Sequence, residues 1–240
     1  MASSSHDEIE RTFDVDDPAV LPDLAGFAGV STTTKPTELL LEARYVDTPD
    51  LDLARHGVTL RRRTGGHDAG WHLKLPHGKD TRTEVHAPLG DDTGRVPDEL
   101  AARVRGLVRD RDLVPVALVV NRRLEHSLLD GEGAVLAQVC DDHVHTERLH
   151  GPPLVQDWRE WEIELVGGDR DLLDAAAREL LDSGAVPSVT SSKLVRSHGD
   201  LAPAVVTAPS GTTPAHPPPA RPSRPSSPLR WPSCCDRTCG

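Results

Sequence analysis

The order of apolar and charged residues predicts an α+β fold: a closed antiparallel eight-stranded β tunnel with helices packed outside. Strand-like runs follow one another with only a few helical connections, as antiparallel meanders do. About eight such runs fit between residues 6 and 200, enough to close a barrel instead of leaving a sheet with two edges. Several runs alternate strictly between apolar and charged side chains, so each strand has one face suited to a core and one that needs another partner.

The first run, "DEIERTFDV", sets Ile9, Phe13 and Val15 on one face, interrupted by Arg11, and Glu8, Glu10, Thr12 and Asp14 on the other. Two carboxylates two residues apart on a strand point the same way and repel. "DDPAVLPDLAGF" follows and predicts a short helix, with Asp16 or Asp17 as its cap and Pro18 in its first turn. "TELLLEARYVDT" predicts a strand and "PDLDLARHG" a short helix closed by Gly57. "VTLRRRT" and "WHLKLP" flank the Gly-rich "GGHDAG", a hairpin signal, and "TRTEVHAPL" continues the meander. "VPDELAARVRGLVRD" is amphipathic, with Leu100, Val104, Leu107 and Val108 on one side. "LVPVALVVNRRLEHSLLD" and "AVLAQVCDDHV" pair across "GEG". "WREWEIELVGG" is a strand, and "DRDLLDAAARELLDSG" a capped helix with Leu172, Leu173, Ala176 and Leu180 inward. The folded unit ends with "VPSVTSSKLVRS".

From residue 201 to 240 the composition turns to Pro, Ser, Ala and Arg with almost nothing to bury, and this tail is expected to be disordered. Cys234, Cys235 and Cys239 crowd its end, while Cys140 sits in a strand-like run, so no disulfide framework is indicated. With aromatics at 3%, the core must be aliphatic. The formal net charge of −11 argues against general binding to nucleic acid or to acidic membranes. No apolar run suffices to span a bilayer, and residues 1–5 (MASSS) lack the regions of a secretory signal; a cytoplasmic protein is the expectation.

Side-chain parity sharpens this. Thr59, Arg61 and Arg63 share one face, opposite Val58, Leu60 and Arg62. His72 and Lys74 oppose Trp71, Leu73 and Leu75. Arg82, Glu84 and His86 oppose Thr83, Val85 and Ala87. Glu160, Glu162 and Glu164 oppose Trp161, Ile163 and Leu165. If amphipathic helices cover the apolar faces from outside, the charged faces point inward, where they must pair or coordinate; the alternative is an open sheet with its charged face in water. Arg61, Arg63, Lys74, Arg82, Arg122 and Lys193 suit phosphoryl oxygens. Glu8, Glu10, Glu162 and Glu164 form two pairs of acids suited to a hard divalent ion, Mg²⁺ or Mn²⁺. Polyanion and metal in one cavity is the requirement of phosphoryl transfer.

The ordered set "EIERTF", "RYVDTPDLDLARHGVTLRRRTGG", "GWHLKLP", "RTEV", "WEIEL" and "SSKLVR" resembles the CYTH superfamily of triphosphate tunnel metalloenzymes, over residues 6–200. That family includes class IV adenylyl cyclases, thiamine triphosphatases and inorganic triphosphatases. The resemblance implies an eight-stranded tunnel with charged residues inside. Glu8 and Glu10 would be metal-side acids of an N-terminal ExExK signature, and Glu162 and Glu164 those of a later ExE pair. Arg61, Arg63, Lys74, Arg122, Lys193 and Arg196 would hold the triphosphate, with Arg82 and Glu84 in the tunnel wall. Asp142 best matches the tunnel Asp that can accept a proton, with Asp141 one position away. Three positions depart from the pattern: Thr12 replaces the signature lysine, Gln138 stands where relatives often carry an acid, and Val120 lies where a basic residue is expected. The chain also looks like the CYTH half of bacterial CYTH–CHAD proteins, whose second half is implicated in polyphosphate binding. The implied function is metal-dependent hydrolysis of inorganic triphosphate or a related compound. Adenylyl cyclisation, and a catalytically weak polyphosphate- or nucleotide-binding module, are the alternatives.

Overall fold

The computed structural model describes residues 3–78, 80–90 and 94–204. Of the expected disordered tail only residues 201–204 are among these; the rest of it, with the three terminal cysteines, lies outside the described residues. The strands are β1 (Ser4–Val15), β2 (Thr32–Thr33), β3 (Thr37–Asp47), β4 (Thr59–Thr64), β5 (Gly70–Gly78), β6 (Thr81–Ala87), β7 (Val114–Leu129), β8 (Val135–Arg148), β9 (Val155–Leu165) and β10 (Val186–Pro187). The helices are α1 (Asp52–Arg55), α2 (Asp98–Val108), α3 (Arg170–Asp182) and α4 (Lys193–Ser197). Eight strands pair in the order β1-β6-β5-β4-β3-β7-β8-β9, and β9 returns to β1, closing an antiparallel barrel. Strand β1 achieves closure by dividing its length: Ser4–Ile9 pairs with β6 and Glu10–Val15 with β9. The short β2 and β10 add to β7 and β1.

The apolar faces turn outward. Helix α3 buries Leu172, Leu173, Ala176 and Leu180 against Phe13, Val139, Trp161 and Ile163. Helix α2 lays Leu100, Val104 and Val108 over Leu60, Trp71, Leu73 and Val85, with Leu107 at the margin. Arg11, the polar interruption in the outward face of β1, reaches Asp174 on α3 at 2.7 Å and Asp80 at 2.9 Å. Local signals explain the helix starts. Asp169 accepts the Leu172 N–H at 2.9 Å as N-cap of α3. Fully buried Asp47 accepts the N–H groups of Thr48, Leu53 and Ala54, satisfying the first turn of α1.

The helix expected at "DDPAVLPDLAGF" does not form; residues 16–31 are turns and extended chain. Pro22 lies four residues after Pro18 and removes the N–H that would bond Pro18's carbonyl. The guanidinium of Arg159 binds this segment instead, donating to the carbonyls of Asp16, Asp17 and Ala19.

Helix α4, unforeseen in the sequence, closes one end of the barrel. Leu194, 1% exposed, joins a buried cluster with Ala43, Tyr45, Ala117, Val119 and Val144, so the barrel is a cup at that end. Among the described residues no helix is long and apolar enough to cross a membrane.

This packing separates neighbours on α3. Leu180→Ala is expected to lower unfolding stability by about 2–5 kcal/mol in urea titrations, and Leu181→Ala, at a partly exposed site, by under about 0.5 kcal/mol.

Candidate active site

The lumen encloses a cavity of about 250 Å³ lined by inward-facing side chains of seven barrel strands: β1, β3, β4, β6, β7, β8 and β9, with Lys74 adding the eighth, β5. Glu8, Glu10, Glu162 and Glu164 meet on one wall, because β1 and β9 are neighbours and their register sets Glu10 opposite Glu164 and Thr12 opposite Glu162. Arg61, Arg63, Lys74 and Arg82 enter the same cavity from β4, β5 and β6. The charged faces read from parity therefore point inward.

The two sets touch at Lys74. Its Nζ lies 2.5 Å from Glu8 and 3.6 Å from both Glu10 and Glu84. Burial opposes its charge, but Glu10, Glu8 and Glu84 overcome this and raise the ammonium above its ordinary range. Arg82 lies 3.8 Å from Glu10 and donates to Ser191 Oγ. Glu84 Oε1 lies 2.6 Å from His72 Nδ1. Arg61 differs from these. Its Nη1 donates to Tyr45 Oη at 3.2 Å, its buried Nε has no acceptor, and among the described residues no carboxylate comes within ion-pair range of it. Arg63 pairs with Asp68.

The floor of the cup is a closed ion network. Lys193, at the start of α4, lies 2.5 Å from Glu160, 2.7 Å from Glu162 and 3.0 Å from Asp142. Arg123 forks onto Asp142 at 2.8 and 2.7 Å and reaches Glu162 at 2.5 Å. Burial works against ionisation of Glu162 and Asp142, but Arg123 and Lys193 hold both carboxyls below the usual range.

Several assignments change on this map. Arg122 faces outward, its side chain 42% exposed and 3.4 Å from Glu38, while Arg123 takes the lumen position. The adjacent arginines differ by one in parity, and one residue reverses the face. For the same reason Val120 is on the outer surface, 38% exposed, and Asn121 is the residue lining the cavity. Asp142 points inward whereas Asp141 pairs with Arg159, but Asp142 is fully buried beneath Lys193 and Arg123 and does not border the cavity. Arg196 stacks over Trp158 at 4.5 Å and pairs with Asp14, away from the cavity wall. Lys193 borders the cavity, but its ammonium is engaged by three carboxylates. Arg123, Tyr45 and Asp68 also line the cavity, beyond the residues expected from the sequence; for Arg123 the adjacent "RR" is the sequence signal.

Among the described residues, two groups converge tightly enough to hold a metal ion: His6, Glu8 and Glu84, and Asp142, Glu160 and Glu162. In the second, the Lys193 ammonium already supplies the cation. The acid wall of Glu8, Glu10, Glu162 and Glu164 is not one of these groups, but its donors suit a hard divalent ion in kind. Its donors are all carboxylate oxygens, and Glu164 is pushed up to about 7, first by burial and then by Glu8 and Glu10, an excess of negative charge that a bound cation would offset. Thr12 adds no charge here; its buried hydroxyl has no partner.

Two outcomes follow. Glu164's folded pKa lies above its ordinary 4.5, so its contribution to stability is full below that value and lost as pH rises through about 7. Glu164→Gln, in chelator, therefore raises Tm more at pH 8 than at pH 5; an equal effect at both would contradict the assignment. Arg123→Gln leaves Asp142 buried with one cation fewer and should cost about 3–5 kcal/mol in urea, while Arg122→Gln stays within about 0.5 kcal/mol.

The model of the CYTH domain family matches residues 6–196. Two uncharacterized proteins of Mycobacterium tuberculosis, from strains CDC 1551 / Oshkosh and ATCC 25618 / H37Rv, are each 44% identical over 211 residues, which is 82% of this chain and 41% of theirs. The chain thus spans about two fifths of the length of these curated relatives. The crystal structure of a "putative adenylate cyclase" from Bacillus halodurans superposes with a TM-score of 0.53 at 18% identity, covering 80% of this chain and 97% of that one, which is agreement in fold. With the family model spanning the whole barrel and α4's lysine at its floor, the chain belongs to the CYTH domain family.

Proposed function

We propose that this chain binds a triphosphate compound, most simply inorganic triphosphate, in the lumen and hydrolyses it with Mg²⁺ or Mn²⁺. The observation that carries this reading is the division of the cavity into an acid wall and a pair of arginines, of which Arg61 has no carboxylate partner among the described residues and Arg63 has Asp68 from a loop. Arg61 and Arg63 project side by side from one strand, and like charges so placed favour a polyanion between them. Glu10 and Glu164 face each other across β1 and β9 and favour a cation.

In this reading Arg61, Arg63 and Arg82 donate to phosphoryl oxygens, and Lys74 bridges from them to the acid wall. Their fixed charges offset the negative charge that develops as water attacks the terminal phosphorus and the bridging P–O bond breaks. Glu8, Glu10, Glu162 and Glu164 would hold the metal, which supplies Lewis-acid charge stabilisation when bound. Asp142 acts by positioning Arg123 and Lys193. A proton released from water has nearer acceptors in Glu10 and Glu164, which border the cavity. The reading keeps the chain off nucleic acid, in line with its net charge of −11.

A binding-only module is the second reading, favoured by Thr12 and Gln138, which leave the wall short of a cation and an acid relative to the family pattern. Cyclisation of ATP uses the same kind of cavity and is separated by its product.

Phosphate release from tripolyphosphate, ATP and pyrophosphate, with and without Mg²⁺ or Mn²⁺, tests these readings. The expected result is metal-dependent release from tripolyphosphate that falls about 100-fold or more in Arg61→Ala and in Glu10→Ala, and rises in Thr12→Lys. Cyclic AMP from ATP would identify the cyclase, and binding by calorimetry without turnover the module.

A further inference from the structure

The β4–β5 connection, residues 65–69, lies against the lumen, with Gly66, His67 and Asp68 bordering the cavity. Two glycines let it fold there. Gly65 has φ 78°, and a Cβ would collide with the carbonyl of Leu40; Gly66 has φ 73° and packs on Leu41. Asp68 ties the segment down twice. Its carboxylate pairs with Arg63, and its backbone carbonyl accepts from His72 Nε2 at 2.9 Å. The two partners are unequal in exposure: the Arg63 side chain is 10% exposed and that of Asp68 54%. Arg63 thus faces the cavity with its guanidinium already engaged by a carboxylate from a solvent-exposed loop, on the strand face it shares with Arg61.

We propose that Asp68 is a built-in competitor for Arg63, a latch that a polyanion displaces as it binds, releasing the β4–β5 loop from the mouth of the cavity. A carboxylate and a phosphoryl oxygen address the same N–H groups of one guanidinium, so they exclude each other there. With its carboxylate partner half exposed to solvent, the pair can yield to a polyanion while still competing with any ligand that must reach Arg63. Such a latch would regulate the site proposed above, and rests on its reading as a triphosphate site.

Calorimetric titration of the full chain with tripolyphosphate and Mg²⁺, together with hydrogen–deuterium exchange over residues 64–70, tests it. Asp68→Asn is expected to tighten binding by roughly two- to fivefold and to speed exchange in the loop before ligand is added. The gain should vanish in the Arg63→Gln background. An Asp68 that only supported the fold would instead weaken binding when replaced. Wild-type binding with affinity and exchange unchanged in Asp68→Asn overturns the latch and leaves the triphosphate reading standing; no binding by either protein overturns both.

Discussion

Lys193 carries its ammonium into a cage of Asp142, Glu160 and Glu162, none more than 3.0 Å away. Three carboxylates from two adjacent strands would repel strongly in so dry a place, and Arg123 alone cannot neutralise them. The lysine arrives from outside the sheet, at the N-terminus of a five-residue helix whose Leu194 is seated among Ala43, Val119 and Val144. Packing of an apolar residue thereby positions a buried charge, and that charge lets a barrel with acidic inner faces close. Every other ionic arrangement in the lumen is built above this floor.

An inverted barrel divides its stability from its chemistry. The aliphatic clusters lie between strands and the outer helices, with Leu60, Leu73, Ile163 and Leu173 fully buried there. The lumen is left for ions. It is not uniformly polar: β3 contributes Leu39, Leu41 and Ala43, and in the closed strand order β3 lies opposite β1. The acids of β1 therefore lie across the lumen from an apolar strip.

Much of this arrangement was legible because strand parity is a robust signal where apolar and charged residues alternate cleanly. "WHLKLP" and "WEIEL" assign their faces without ambiguity, and in "VTLRRRT" Val58 and Leu60 mark the core face although Arg62 shares it. Parity fails where both faces carry similar residues. In "VVNRRLEH" Val119 and Val120, like Arg122 and Arg123, look alike in composition, and only the pairing of Arg123 with Asp142 decides which points inward. The pair Asp141 and Asp142 poses the same problem, resolved by Arg159 on the outer side. Helix α4 is too short for periodicity to reveal, and its place at the end of the barrel is a tertiary fact. The segment after Asp16 misled because an acidic cap and an early proline mimic a helix start, whereas the second proline and an arginine distant in sequence determine the chain's path.

The central claim is that one lumen brings a polyanion to Arg61 and Arg63 and its counter-cation to Glu8, Glu10, Glu162 and Glu164. Anomalous diffraction at the manganese edge, from crystals soaked with Mn²⁺ and a slowly hydrolysed triphosphate, tests it most directly. The account predicts manganese within coordination distance of the acid wall, with the phosphate chain running from it to the two arginines. Manganese confined to the outer surface, or a phosphate chain bound outside the barrel, would contradict it.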